Sequence, residues 1–280
     1  EARRILGREK RFGISKARNK FINAQSLTPN DPQIAYYLAW LDDLNYSLKD
    51  EPGYQPYGNV EPTCQSASER YRQAITLFDK NRPTDSISQE MVVEIGHYLS
   101  NRDQAHRKAI ELYNKHILTT GFDLSEPVTY MALISRGMAY FWLGEYGNAE
   151  VDFEHALAQK PSNQVAYNRG SVYAVSGVSN SFNYDRAIDW YKVAINGGKA
   201  MLSTSNYLGR AVQLSGEVEL DEAWRDYGFV LLLNLKQNET SEQRIKHYEE
   251  ARQKFEQAIS LNKDGYLAYV GKGVAQYFEG

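Results

Sequence analysis

The residue types that most often carry out chemistry in proteins are sparse in this chain and poorly spaced for it. No two of the five histidines lie four residues apart with a glutamate between them, the arrangement that binds catalytic zinc. The single cysteine, Cys64, has no paired histidine that would make it a nucleophile, so a spare thiol is the simpler interpretation. We therefore expect no metal site, no cofactor and no enzymatic activity in this chain.

Two further patterns that could suggest chemistry have structural explanations. The triplet Gly271–Lys272–Gly273 lacks the spacing of a phosphate-binding loop. The adjacent acids Asp42–Asp43 and Glu249–Glu250 fall in predicted helices, where neighbouring side chains point in different directions. These pairs are typical of solvated helix faces and do not predict a catalytic carboxylate pair.

Composition narrows the class of protein. The chain has 280 residues, 42% of them hydrophobic and 24% charged, which is ordinary for a globular protein with a sizeable core. Its net charge of −3 argues against nucleic acid or an anionic membrane as a partner. One cysteine excludes an internal disulfide and fits a reducing, cytoplasmic compartment. No apolar run approaches the length of a membrane span. A start at Glu1 without a signal peptide indicates a piece of a longer protein.

The most regular stretch is Tyr130–Asn163, which predicts two short helices and a tight turn. The helices span roughly Pro127–Leu143 and Glu145–Lys160. Gly144 ends the first, and Pro161 cannot continue the second. Small residues recur between large aromatic ones, so the helices can approach closely while the rings fill the gaps. The recurring residues are Gly137, Tyr140, Gly144, Tyr146, Ala149, Phe153 and Ala156.

This spacing resembles the tetratricopeptide repeat, a 34-residue pattern of Gly, Tyr, Gly, Tyr, Ala, Phe, Ala and Pro at these offsets. Similar segments cover most of residues 13–280. The resemblance implies an all-α fold, a right-handed α-solenoid of stacked helix-turn-helix repeats, each with a first and a second helix. It predicts one domain over residues 1–280, with about five to six repeats and half-repeats at both ends.

Two stretches depart from the repeat. The segment 45–65 carries turn residues and is longer than the repeat needs, which is typical of a functional or disordered loop. In 200–240 the helix phase is ambiguous. Leu202–Leu214 is predicted as a first helix. Leu220–Leu235 fits a second helix through Ala223 and Tyr227, and it also fits a first helix through Trp224, Gly228 and Leu231.

The resemblance implies a concave groove lined by first helices, with exposed residues at fixed offsets from the signature glycine. Tyr167 and Asn168 are the preferred anchors because their repeat is well aligned. Asn168 can hydrogen-bond a peptide backbone as donor and acceptor, and Tyr167 offers an apolar face with a polar tip. The same offsets also select Phe141 and Trp142, although such an aromatic pair on a helix more often belongs to a core than to a binding surface. The other candidate partner-binding residues are Tyr37, Trp40, His97, Met138, Asn206 and Arg210.

Some tetratricopeptide proteins grip chaperone C-terminal tails with Lys and Asn in one first helix, Asn in the next, and Lys and Arg in the third. Here Asn168 matches the central Asn. Ile134 and Met138 stand where Lys and Asn belong, and Ser203 and Tyr207 where Lys and Arg belong. These departures argue against chaperone tails as partners.

The sequence thus predicts a protein-protein interaction module, a scaffold or adaptor that binds a peptide or protein partner in its groove. The alternative is a regulatory segment of a multidomain enzyme, such as a kinase, protease or signalling ATPase, acting on a domain of the same polypeptide. Binding of single-stranded RNA by helical repeats is disfavoured by the acidic charge balance.

Overall fold

A computed structural model describes residues 12–47, 64–81, 85–101, 104–119, 123, 126–176, 182–196, 221–236 and 239–280. Every regular element in these ranges is an α-helix, and none is a strand, which confirms the all-α prediction. The contacts divide the chain into two compact units, residues 1–122 (unit 1) and residues 123–280 (unit 2). A single domain over the whole chain therefore stays a prediction.

Unit 1 contains two helix pairs, α2–α3 and α4–α5, preceded by α1, which packs on α2. Asp31 caps α2, since its Oδ1 accepts hydrogen bonds from the backbone N–H of Gln33 (2.8 Å) and of Ile34 (3.3 Å). The predicted loop 45–65 is shortened at both ends by helix, and its remainder lies outside the described residues. The helices are α1 (Phe12–Leu27), α2 (Pro32–Ser47), α3 (Cys64–Asn81), α4 (Ser86–Asn101) and α5 (His106–His116).

Unit 2 contains three helix pairs, α6–α7, α8–α9 and α10–α11, followed by α12, which packs on α11. Each pair also packs on the next, through α7 with α8 and through α9 with α10. The helices are α6 (Pro127–Trp142), α7 (Tyr146–Gln159), α8 (Asn163–Ser176), α9 (Phe182–Asn196), α10 (Asp221–Leu233), α11 (Ser241–Leu261) and α12 (Tyr266–Glu279).

The α6–α7 pair confirms the helices and the turn predicted from its sequence. Pro127 is the first residue of α6, where its missing N–H is not needed. Gly144 follows α6 with a φ of 75°, a left-handed conformation that glycine adopts without strain. The N–H of Glu145 then donates to the carbonyl oxygen of Tyr140 (2.9 Å), which satisfies one of the last carbonyl groups of the helix.

One contact recurs in the described helix pairs that carry the signature glycine. An aromatic ring of the second helix lies against that glycine of the first, so closely that a Cβ atom there would overlap the ring. A Cβ on Gly137 would lie 2.7 Å from the ring of Phe153. The equivalent contacts are Gly96 with Tyr113 (2.5 Å), Gly170 with Tyr191 (2.8 Å) and Gly228 with Phe255 (2.8 Å). Among the described residues, the contact occurs once in unit 1 and three times in unit 2, where it recurs along the stacked helix pairs of an α-solenoid.

Small residues flank the aromatic ring on each second helix and are equally buried. Ala149, Phe153 and Ala156 of α7 are completely inaccessible to solvent. Their small side chains leave room for the neighbouring helices on both sides of the ring. The same arrangement occurs in α9 with Ala187, Tyr191 and Ala194, and in α11 with Ala251, Phe255 and Ala258.

An ion pair also joins α6 to α7. The Arg136 guanidinium donates to both carboxylate oxygens of Asp152, through Nε (2.8 Å) and Nη2 (2.6 Å). Asp152 is almost fully buried, so removing Arg136 would leave an uncompensated charge in the interior. The pair therefore fixes the two helices in register beside the contact between Gly137 and Phe153.

The structure resolves the ambiguous helix phase. Gly228 of α10 lies against the Phe255 ring of α11, as Gly271 of α12 also does. Because α10 packs on α11 and also on α9, the second helix of the preceding described pair, we assign α10 as the first helix of a pair with α11. Of the two alternatives for Leu220–Leu235, the one through Trp224, Gly228 and Leu231 is confirmed. Because α10 packs directly on α9, it follows the α8–α9 pair as the next first helix. The helix predicted at Leu202–Leu214 lies outside the described residues.

We expect Gly137→Leu and Ala149→Leu each to destabilise unit 2 by about 1–3 kcal/mol or more, because the added side chains have no space at the helix contact. Chemical denaturation followed by far-ultraviolet circular dichroism measures the free energy of unfolding. Gly147→Leu is the matched control, since Gly147 is an exposed residue of α7 and no neighbouring atom lies within 4 Å of the position that a Cβ would take. Equal stability of all three variants would contradict the packing described above.

A second pair of variants tests the phase of α10. We expect Gly228→Leu to destabilise the protein by about 1–3 kcal/mol, because the side chain would collide with Phe255. We expect Gly273→Leu in α12 to change stability by less than about 0.5 kcal/mol, because nothing lies within 4 Å of that position. The phase assignment is wrong if the two substitutions have the same effect on the denaturation midpoint.

Candidate functional site

Unit 2 contains an open cavity of about 540 Å³ bordered by the three first helices α6, α8 and α10. We call it the groove. Its volume falls in the range typical of ligand-binding pockets. Its lining includes Met138, Phe141 and Trp142 of α6, Tyr167, Asn168, Ser171 and Val175 of α8, and Arg225, Asp226, Phe229 and Leu233 of α10.

One side of the groove is an exposed apolar surface. Trp142, Val175 and Leu233 are 58%, 40% and 61% exposed. They occupy equivalent positions near the ends of three successive first helices, because the glycine contacts hold those helices in the same register. The exposure of Trp142 differs from the sequence interpretation, which favoured a core position. We call Trp142, Val175 and Leu233 the apolar ridge.

The other side of the groove is a hydrogen-bonded cluster that joins α8 to α10. The Tyr167 hydroxyl donates to Asp226 Oδ2 (2.8 Å), and Arg225 Nε donates to Asp226 Oδ1 (2.7 Å). Burial raises the pKa of Tyr167 well above its usual value, and the charge of Asp226 raises it further. Tyr167 is therefore a neutral hydroxyl donor at physiological pH. Its ring also lies 5.9 Å from that of Tyr191.

Asn168 lies at the bottom of the groove, and only 5% of its surface is exposed. Its Oδ1 accepts a hydrogen bond from Gln164 Nε2 (3.0 Å). Its Nδ2 has no hydrogen-bond partner among the described residues. An amide nitrogen that borders an open cavity can donate a hydrogen bond to a ligand oxygen. The backbone-binding role predicted for Asn168 is compatible with this environment.

The structure brings three of the eight predicted site residues together, since Met138, Tyr167 and Asn168 all line the groove. Three others belong to unit 1. Tyr37 and Trp40 are half-buried, with Tyr37 stacked on Phe21 at 5.0 Å, and His97 is exposed, with its Nε2 2.7 Å from Asn101 Nδ2. The remaining two, Asn206 and Arg210, lie outside the described residues.

Sequence analysis missed the contribution of α10 to the groove. Arg225, Asp226, Phe229 and Leu233 were not predicted, because the phase of their helix was ambiguous. The sequence signal that could have identified these residues was Gly228, which occupies the signature glycine position in α10 as Gly170 does in α8. Phe229 packs edge-on against Phe255 at 4.9 Å and therefore gives the groove wall a rigid apolar surface.

The phase of α10 also bears on the comparison with chaperone-tail clamps. Among the described helices, α10 is the first helix that follows α8, and the positions six and two residues before its glycine are Glu222 and Asp226, whereas Ser203 and Tyr207 lie outside the described residues. Two acidic residues stand where the clamp has Lys and Arg. Repulsion between like charges at this edge would oppose a peptide with a carboxylate tail.

Two features that bear on other classes of function are absent from the described residues. Among them, no group of three or more His, Cys, Asp and Glu side chains is arranged to hold a metal ion. None of the described helices combines the length and the apolar character needed to cross a membrane.

Comparison with known proteins finds solved structures of similar architecture. A tetratricopeptide repeat protein from Parabacteroides merdae shares 16% identity, over 87% of this chain and 73% of that one, with a TM-score of 0.44. The C-terminal part of a repeat-containing protein of the same class from Cytophaga hutchinsonii shares 16%, over 97% and 99%, with a TM-score of 0.45. BtubC from P. vanneervenii shares 17%, over 95% and 89%, with a TM-score of 0.44. No protein-family model and no curated protein sequence matches the chain. The chain is thus similar to tetratricopeptide repeat proteins, as the spacing of its residues predicted.

Proposed function

We propose that the groove of unit 2 binds a peptide segment of a protein partner, so that the chain acts as an interaction module in a scaffold or adaptor role. The observation that carries this proposal is the apolar ridge, in which three successive first helices each expose a large apolar side chain beside one cavity. Exposed apolar side chains that are grouped, and not scattered singly, are typical of binding surfaces.

The composition of the groove supports a protein partner. Its lining combines aromatic residues, methionine and arginine, the types enriched where proteins bind each other. The polar groups Tyr167, Asn168 and Asp226 line the same groove as the apolar ridge, so a peptide could bind through both its side chains and its backbone. The same groove would serve a separate protein or, in the alternative function, a domain of the same polypeptide.

We expect the double variant Trp142→Ala, Leu233→Ser to lose the partner that the groove binds. Truncating a binding hot spot costs about 2 kcal/mol or more of binding free energy. Both side chains are exposed, so stability should change by less than about 1 kcal/mol. The measurement is affinity capture with the wild-type chain and the variant as baits, quantified by mass spectrometry and followed by titration of the recovered protein.

The matched control is Val151→Ser, because Val151 is 51% exposed on α7 and does not line the groove. A groove partner is retained by this control and lost by the double variant. Recovery of the same proteins by the wild-type chain, the control and a well-folded double variant would place the binding surface elsewhere.

Asn168→Ala tests the polar wall separately. The substitution removes the unused Nδ2 donor together with the hydrogen bond from Gln164. We expect the recovered partner to bind about tenfold more weakly, with a loss of stability of about 1 kcal/mol. Gln164→Ala is the control, because it removes the same intramolecular hydrogen bond and leaves the amide of Asn168 in place. Equal binding by the two variants would show that Asn168 has only a packing role.

A further inference from the structure

The charge of the chain is divided unevenly between its two units. Residues 123–280 contain 20 Asp and Glu but only 15 Lys and Arg, whereas residues 1–122 contain 15 and 17. Unit 2, which holds the groove, is therefore acidic, and unit 1 is slightly basic. The near-neutral balance of the whole chain conceals this difference. An acidic unit attracts cationic partners and repels anionic ones at moderate ionic strength.

The polar edge of the groove has the same sign as the unit around it. Arg225 is the only cation among the described residues that line the groove. Its Nε is bound to Asp226, and Glu222, one helical turn earlier, also acts on it electrostatically. Asp221 lies beside Glu222. Arg225 and Asp226, the charged residues that line the groove, pair with each other, so the excess negative charge at this edge comes from Asp221 and Glu222 in the first turn of α10.

The remaining features of the groove are neutral. The apolar ridge is accessible to large aliphatic or aromatic side chains, and the buried amide of Asn168 has an unused donor that suits a carbonyl oxygen. A peptide backbone supplies such an oxygen at every residue. The groove thus combines one apolar wall, one site for a backbone carbonyl, and one edge with excess negative charge.

We infer that the partner segment of this groove is a basic apolar peptide, in which Trp, Phe or Leu side chains are flanked by Lys or Arg. The large apolar side chains pack on Trp142, Val175 and Leu233. The flanking cation lies near Glu222 and Asp226. This inference rests on the proposed function and adds the chemistry of the partner, which the shape of the groove alone does not specify. Acidic peptides are repelled by the same edge.

The test is selection of a random peptide display library on the immobilised full chain at low salt. We expect the selected sequences to be enriched in Lys and Arg next to Trp, Phe or Leu. A selected peptide, titrated by fluorescence anisotropy, should bind Leu233→Ser at least tenfold more weakly. It should bind Glu222→Gln about twofold to fivefold more weakly, as expected for a solvent-exposed charge pair. Its affinity should fall as salt is added.

Glu242→Gln is the matched control for charge, because Glu242 is exposed on α11, pairs with Lys246, and does not line the groove. We expect its affinity to equal that of the wild type. Circular dichroism confirms that each variant is folded. Selected peptides that depend on Leu233 but are neutral or acidic would overturn this inference and leave the proposed function standing. A selection that yields no peptide dependent on Trp142 or Leu233 would overturn both.

Discussion

The close approach of a glycine on one helix to an aromatic ring on the next is the constraint on which the rest of this structure depends. At Gly96, Gly137, Gly170 and Gly228 the ring occupies the space that a Cβ atom would need. Each contact fixes the distance between the helices and their relative rotation, because the ring fits at only one point along the first helix. Flanking alanines of the second helix then let the next pair stack closely. Repetition of one local contact therefore organises the core of unit 2, and unit 1 contains the same contact at Gly96.

The groove is a consequence of that repetition. The glycine faces of α6, α8 and α10 are turned toward their second helices, and other faces of the same three helices border the groove. Since the three helices share a register, residues at equivalent positions form rows that run across the helices. The row of Trp142, Val175 and Leu233 is apolar and exposed, and the hydrogen-bonded cluster of Tyr167, Arg225 and Asp226 adds polar groups to the same groove. The packing residues thus determine where the exposed residues of the first helices meet, and those exposed residues determine what the groove can bind.

The hydrogen-bonded cluster of Tyr167, Arg225 and Asp226 also links two repeats. Asp226 of α10 accepts hydrogen bonds from Tyr167 of α8 and from its own neighbour Arg225. The three side chains are half-buried, where a hydrogen bond to a charged group contributes more than it does in water. Their positions are therefore set before a ligand arrives, which reduces the entropy lost on binding. A groove built on rigid helices can present its side chains with little rearrangement.

The sequence by itself determined the helix pairs and their internal packing, because those depend on local spacing. Gly137, Ala149, Phe153 and Ala156 predicted both helices of their repeat, and Gly144 predicted the turn between them. The phase of α10 was decided only by the tertiary structure, since its sequence satisfies two registers and its packing on α9 and α11 distinguishes them. The residues of the groove also fall into those that the sequence could predict and those that it could not. Met138, Tyr167 and Asn168 could be predicted from their own well-aligned repeats. Arg225, Asp226 and Leu233 could not, because a residue joins a surface formed by several helices only after the order and rotation of those helices are fixed.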